Sequence, residues 1–144
     1  MLSNKKILIT GLTGNLAGSI ANALVNENEL WGVARYSKEG SRDFWNAKGV
    51  KTVVADLADG NFEGLPTDFD YVIHAAANCA PETYLLGMHD NAQSTAMLMA
   101  HCQNAKAFLH ISTVGVHAPH QDPVHQYAET DLTGGAVMGP TSGH

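Results

Sequence analysis

Positive charge runs out early in this sequence: the last of its lysines and arginines is Lys106, and residues 107–144 contain neither. Over the whole chain eight Lys and Arg stand against fourteen Asp and Glu, a formal net charge of −6. Nucleic-acid backbones are bound by clustered positive charge, so that class of partner is excluded. No apolar stretch approaches the roughly eighteen residues of a membrane span, and the start MLSNKKILIT lacks the apolar core of a secretory signal. A cytoplasmic protein that binds no membrane is therefore expected. Cysteine is scarce as well: Cys79 and Cys102 show no CxxC spacing, which rules out a disulfide framework and a zinc knuckle and leaves two reduced thiols. Charged residues make up only 15% against 44% hydrophobic, far from the composition of a disordered chain. A chain of 144 residues holds one core, and two independent domains do not fit.

What is present is a series of short apolar runs separated by helix-sized gaps. Lys6-Ile7-Leu8-Ile9-Thr10 stops at Gly11, as a strand buried on both faces of a parallel sheet does. Beyond a glycine-punctuated turn, Leu16, Ala17, Ile20, Ala21, Leu24 and Val25 recur at steps of three and four, the apolar stripe of a helix packed on a sheet. Further strands are predicted at residues 31–34, 50–55, 71–75 and 108–112. A short helix is predicted near residues 42–47, and a longer one in which Thr95, Leu98, Met99 and Cys102 share a face. This βαβ series predicts an α/β doubly wound parallel sheet, a Rossmann fold with strand order 3-2-1-4-5, in one domain spanning 1–144. After Val116 the periodicity fades, and residues 117–144, with three of the five prolines, read mostly as loop.

The strongest motif is Thr10-Gly11-Leu12-Thr13-Gly14-Asn15-Leu16-Ala17, set between the first strand and the first helix. In that position Gly11 permits a tight turn, and Gly14 lets the amides at the helix start, those of Asn15 and Leu16 included, approach a pyrophosphate. About twenty residues on, the second strand ends in Ala34-Arg35 with no carboxylate at its tip, and Lys38 and Arg42 follow. Positive charge there suits a ribose 2′-phosphate, so NADP is expected over NAD.

These residues resemble the short-chain dehydrogenase/reductase superfamily, in particular its extended branch, the NAD(P)-dependent epimerase/dehydratase group. The likeness continues in Asp56-Leu57, similar to the family's pair that receives the adenine amino group, and in His74-Ala75-Ala76-Ala77, similar to its His-x-Ala-Ala segment under the cofactor. Asn91-Ala92-Gln93-Ser94-Thr95 is similar to the family's Asn-Val-x-Gly-Thr helix start, with Ser94 for glycine. Ser112-Thr113-Val114-Gly115-Val116-His117 matches its catalytic strand end, with His117 and Ala118 for Tyr and Gly. The resemblance implies that Ser112 and Thr113 lie at the catalytic hydroxyl position, Thr113 meeting the substrate oxygen. It implies that Asn91 orders a proton-relay water, and that Gly11, Thr13, Gly14, Asn15, Leu16, Arg35, Asp56, Leu57, Ala75, Ala76 and Ala77 hold the dinucleotide. The implied activity is NAD(P)-dependent oxidoreduction or epimerisation of a small-molecule hydroxyl or carbonyl substrate, in a chain that can form a homodimer. The alternative is a non-catalytic NADP-binding redox sensor.

One part of the family pattern is missing. Its general acid/base is a tyrosine four residues before a lysine, whereas Gly40, Ala75, Met88 and Asp131 stand four residues after Tyr36, Tyr71, Tyr84 and Tyr127. The sequence therefore reads as the cofactor-binding N-terminal portion of a longer enzyme, truncated before the last strands and the substrate lobe and inactive by itself. His110, His117, His120, His125 and His144 form a local excess. Their loop setting offers no convergent metal ligands, so no metal is expected. His74 and His110 read as interior residues of their strands.

Overall fold

The computed structural model describes residues 2–134. Chain contacts divide into two compact units, Met1–Ile111 and Ser112–His144.

The first unit is a five-stranded sheet in the order β3-β2-β1-β4-β5, with every neighbouring pair parallel. The strands are β1 (Lys6–Thr10), β2 (Glu29–Ala34), β3 (Lys51–Val54), β4 (Tyr71–His74) and β5 (Ala107–His110). Helices α1 (Asn15–Leu24) and α2 (Ser41–Ala47) join β1 to β2 and β2 to β3, and α3 (Tyr84–Gly87) and α4 (Ser94–His101) lie between β4 and β5. β1 is the central strand and pairs on both sides, Ile9 lying opposite Gly32 of β2 and Ile73 of β4. Alternation along β1 sends Ile7 and Ile9 to one face and Leu8 to the other. The core accordingly has two halves. Ile7 and Ile9 pack with Leu12, Ala17, Ala21 and Trp45 of the α1/α2 face. Leu8 packs with Val33, Phe69, Val72, Leu98 and Cys102 of the α4 face. Burial on both faces is why β1 is an unbroken apolar run. The doubly wound Rossmann architecture and the strand order are those the sequence predicts.

The differences from the sequence reading have local causes. β2 begins at Glu29 rather than Trp31, because Glu29 pairs with Lys6 and its N–H donates to Lys5 O at 2.9 Å. The helical pattern before β5 is α3, a π-helical turn at Met88–Gln93 and then α4, with Met99 of the predicted shared face 51% exposed while Leu98 and Cys102 are buried. Leu16 likewise leaves the predicted stripe: in the first turn of α1 it is 53% exposed, while its neighbour Ala17 is buried against Ile7 and Ile9. His74 is interior as expected, but His110 is exposed, because β5 pairs with β4 on one side only and is the sheet edge among the described residues.

The second unit is irregular as far as Gly134; residues 135–144, His144 among them, lie outside the described residues. It contains a 3₁₀ turn at Val114–Val116 and one antiparallel bridge between His117 and Thr133. Side chains tie the loop together: the Tyr127 hydroxyl accepts from His120 N and donates to Ala118 O, and His125 Nε2 lies 2.8 Å from Asp131 Oδ2. Among the described residues no helix is long and apolar enough to cross a membrane, and no group of three or more His, Cys, Asp or Glu is placed to hold a metal ion.

Candidate functional site

At the carboxyl ends of β1, β2, β3 and β4 lies a cavity of about 1000 Å³. Its most constrained wall is the turn after β1. Gly11 sits at φ +68°, and a Cβ there would lie 2.9 Å from both Cα and N of Ala76. Glycine is thus demanded twice, by the left-handed backbone and by the close approach of the chain leaving β4. Gly11 N donates to Val33 O at 3.0 Å and Gly14 N to Gly11 O at 2.8 Å, which closes the turn between β1 and α1.

The start of α1 is left open. Its N-cap is Gly14, which has no side chain to cap the helix, and its first turn carries no acidic residue. The N–H groups of Asn15, Leu16 and Ala17 precede the first intrahelical bond, that of Gly18 N to Gly14 O. Free amide donors and the positive end of the helix dipole are the features that suit an anion, and Gly11, Thr13, Gly14 and Asn15 line the cavity at that place.

All the cofactor residues predicted from the sequence except Leu16 line this one cavity. Leu16 stands at the helix start with its side chain exposed. Across the cavity Arg35 follows β2 and Asp56 follows β3, and the parallel pairing of these strands brings Arg35 NH1 within 3.9 Å of Asp56 Oδ2. Both side chains are well exposed, 74% and 43%, so this pair contributes little to stability. The same carboxylate accepts from Ala58 N through Oδ1 at 3.1 Å and thereby caps the 3₁₀ turn Leu57–Asp59. Of the other two cations predicted beside Arg35, Arg42 is engaged with Thr52, donating to its Oγ1 and its carbonyl, and Lys38 lines the cavity.

Several residues of the cavity wall escaped the sequence reading, Tyr36, Asn78 and Asp90 among them. Tyr36 lines the cavity in the left-handed region at φ 48°, its hydroxyl donating to Gly32 O at 2.9 Å, and burial pushes its pKa upward. A tyrosine so held keeps its proton near neutral pH. Asn78 and Asp90 also line the cavity, and the Asn78 side-chain amide donates to Asp90 Oδ2 at 2.8 Å, which with His89 holds that carboxyl below its ordinary value. The Tyr after Arg35 carried no pattern of its own, and the Asn78–Asp90 pair is made only by the fold.

Asn91 stands beside the cavity wall and is bonded at both ends of its side-chain amide. Its Oδ1 accepts from Asn78 N at 2.7 Å and its Nδ2 donates to Asn78 O at 3.0 Å, so both ends of the amide clamp the backbone of residue 78. Ser112 and Thr113 belong to the second unit, where both are exposed and Thr113 Oγ1 accepts from Gly115 N at 3.2 Å.

Comparison with known proteins bears on the same residues. The family model for the NAD dependent epimerase/dehydratase family matches residues 7–142. The chain belongs to that family. Among curated proteins, comparison by sequence finds no match. Among solved structures, the fold is similar to that of the UDP-N-acetylglucosamine 4-epimerase of Methanobrevibacter ruminantium M1, seen in complex with UDP-N-acetylmuramic acid. The TM-score is 0.78 and the identity 22% over 94% of this chain and 46% of that one. It is also similar to UDP-glucuronic acid 4-epimerase from Bacillus cereus in complex with NAD, with TM-score 0.74 and 20% identity over 91% of this chain and 46% of that one. A third is the Bordetella bronchiseptica enzyme WbmG in complex with NAD, with TM-score 0.72 and 18% identity over 92% and 44% of the two chains. The epimerase-family chain described here thus spans under half the length of these structures.

Proposed function

We propose that this chain is the dinucleotide-holding part of an NAD(P)-dependent oxidoreductase or epimerase that acts on a hydroxyl or carbonyl of a nucleotide sugar. The observation that carries the reading is the uncapped, acid-free start of α1 opening into the cavity beside Gly11 and Gly14. The cavity also suits an extended two-lobed ligand in size, since ligand sites run to about 1000 Å³. Its residues fit the group chemically: amide donors at α1 for the pyrophosphate, Asp56-Leu57 for the adenine edge, and the small side chains of Ala75–Ala77 where the chain must pass under a ribose. When bound, the nicotinamide supplies the hydride chemistry. The chain's own residues orient it, and Thr113, with Ser112 before it, supplies a hydroxyl for the substrate oxygen. The sugar-nucleotide substrate class is supported by the epimerases that share the fold.

NADP is the preferred dinucleotide in this reading. No carboxylate stands at the tip of β2 to receive a ribose 2′-hydroxyl, and Arg35 and Lys38 both line the cavity. Several of the similar structures hold NAD, so the preference rests on these residues alone. Titrating the 144-residue chain with both dinucleotides tests it. NADP should bind tighter, and Arg35→Ala should remove most of that advantage. Tighter NAD binding with no loss in Arg35→Ala would refute the preference.

A further inference from the structure

His74 is 1% exposed and lies between two hydroxyls, with Thr10 Oγ1 2.7 Å from its Nδ1 and Thr95 Oγ1 2.8 Å from its Nε2. The direction of each bond follows from donor accounting. A hydroxyl has one proton and two lone pairs. Thr10 Oγ1 already accepts from Ala75 N and Ala76 N, both at 3.2 Å, so its own proton goes to His74 Nδ1. That nitrogen is then an acceptor, and the ring proton sits on Nε2 and is donated to Thr95. Thr95 in turn donates to Asn91 O at 2.6 Å. The opposite tautomer would bring a third donor to Thr10 Oγ1 and leave the Thr10 proton with nothing to meet.

The chain of bonds closes on itself. It leaves the backbone at Ala75 and Ala76, runs through Thr10, His74 and Thr95 to Asn91, and returns through the Asn91 side chain to both backbone groups of Asn78. Residues 75–78 are thereby held at both ends, and all four line the cavity. The titratable group facing His74 is the exposed His110 of β5, its ring centroid 5.3 Å away; the Phe108 ring packs at 5.8 Å.

We propose that His74, fixed as the Nε2–H tautomer between Thr10 and Thr95, is a positioning residue that makes the glycine turn, the strap 75–78 and the start of α4 one rigid wall of the cavity. The consequence for cofactor affinity rests on the dinucleotide reading above, whereas the relay itself does not.

Long-range ¹H–¹⁵N NMR of the histidine-labelled chain reads the tautomer directly, and backbone spectra of Thr95→Val and Thr95→Ser read the coupling. The expected result is a pure Nε2–H pattern at His74 at neutral pH. Thr95→Val, which removes the bonds to His74 Nε2 and Asn91 O, should displace the amide resonances of Ala75, Ala76 and Asn78 and weaken dinucleotide binding about tenfold. Thr95→Ser should restore both. An Nδ1–H or mixed tautomer in the unsubstituted chain overturns the proposal, as do unmoved Ala75 and Ala76 amides in a folded Thr95→Val. If Thr95→Val does not fold, the tautomer of the unsubstituted chain and the amide positions in Thr95→Ser decide. If neither dinucleotide binds while the tautomer and the shifts are as expected, the relay stands and the functional reading falls.

Discussion

Replacing Gly11 by alanine separates two costs that the turn after β1 combines. The first is conformational: at φ +68° an L-residue loses about 1–2 kcal/mol, partly offset because alanine also restricts the unfolded chain. The second is steric. The new Cβ would stand 2.9 Å from two backbone atoms of Ala76, which cannot turn aside as a flexible side chain can. Forcing such an overlap costs about 1–3 kcal/mol more. Gly49 provides the comparison, since it has φ +87° and nothing within 4 Å of an added Cβ. Gly49→Ala should therefore cost about 1 kcal/mol and Gly11→Ala about 3 kcal/mol, which for a chain of this size lowers Tm by about 4 and 12 °C. Urea unfolding and thermal melts of both variants measure the difference. Because Ala76 lines the cavity, Gly11→Ala should also weaken dinucleotide binding, and Gly49→Ala should not. Equal destabilisation by the two substitutions would refute the close approach of β4's exit to the turn, and with it the explanation of why the motif needs glycine there.

Other outcomes follow from particular groups. Burial, with a smaller contribution from the charge of His110, lowers the His74 pKa from 6.5 to about 4. The unfolded chain thus takes up this proton near pH 6.5 and the folded chain only near 4, so stability is full above pH 6.5 and declines by up to about 3 kcal/mol as the pH falls to 4. Urea midpoints across that range should show the decline, and His74→Gln should flatten it. The exposed Arg35 should make NADP binding fall more steeply with salt than NAD binding, as parallel titrations at low and high ionic strength would reveal. Asp56→Asn, which keeps an oxygen for the cap on Ala58 N, should shift preference further toward NADP by releasing Arg35. A thiol reagent should label Cys79, which is exposed, and spare Cys102, which is buried with its pKa raised to about 11, as mass spectrometry of the native chain would register.

The fold was legible because its signals are local. An apolar run that ends at Gly11, followed by a three-and-four spacing from Ala17 to Val25, specifies strand, turn and helix without knowledge of any partner. The same logic found the ends of β3 and β4, where Asp56 and Ala75–Ala77 arrive at one cavity because parallel strands finish on the same side of the sheet. What escaped depended on neighbours. Leu16 fits the helical stripe by spacing, yet Ala17 takes the buried place in the first turn of α1 and the Leu16 side chain meets water. His110 alternates correctly within β5, but among the described residues β5 is paired on one side only. Arg35 and Asp56 are twenty-one positions apart in the sequence and meet only because β2 and β3 pair in register. The Asn78–Asp90–Asn91 contacts depend on the π-helical turn at Met88–Gln93, whose extra residue no periodicity announces.

The central claim is that the open start of α1 receives the pyrophosphate of a nicotinamide dinucleotide, and backbone amide spectra of the 144-residue chain during titration with NADP test it most directly. The amides of Gly14, Asn15 and Leu16 should shift in a saturable way together with those of Ala75–Ala77. Saturable binding that leaves the Gly14–Leu16 amides unmoved, or no binding of either dinucleotide at millimolar concentration, would contradict it.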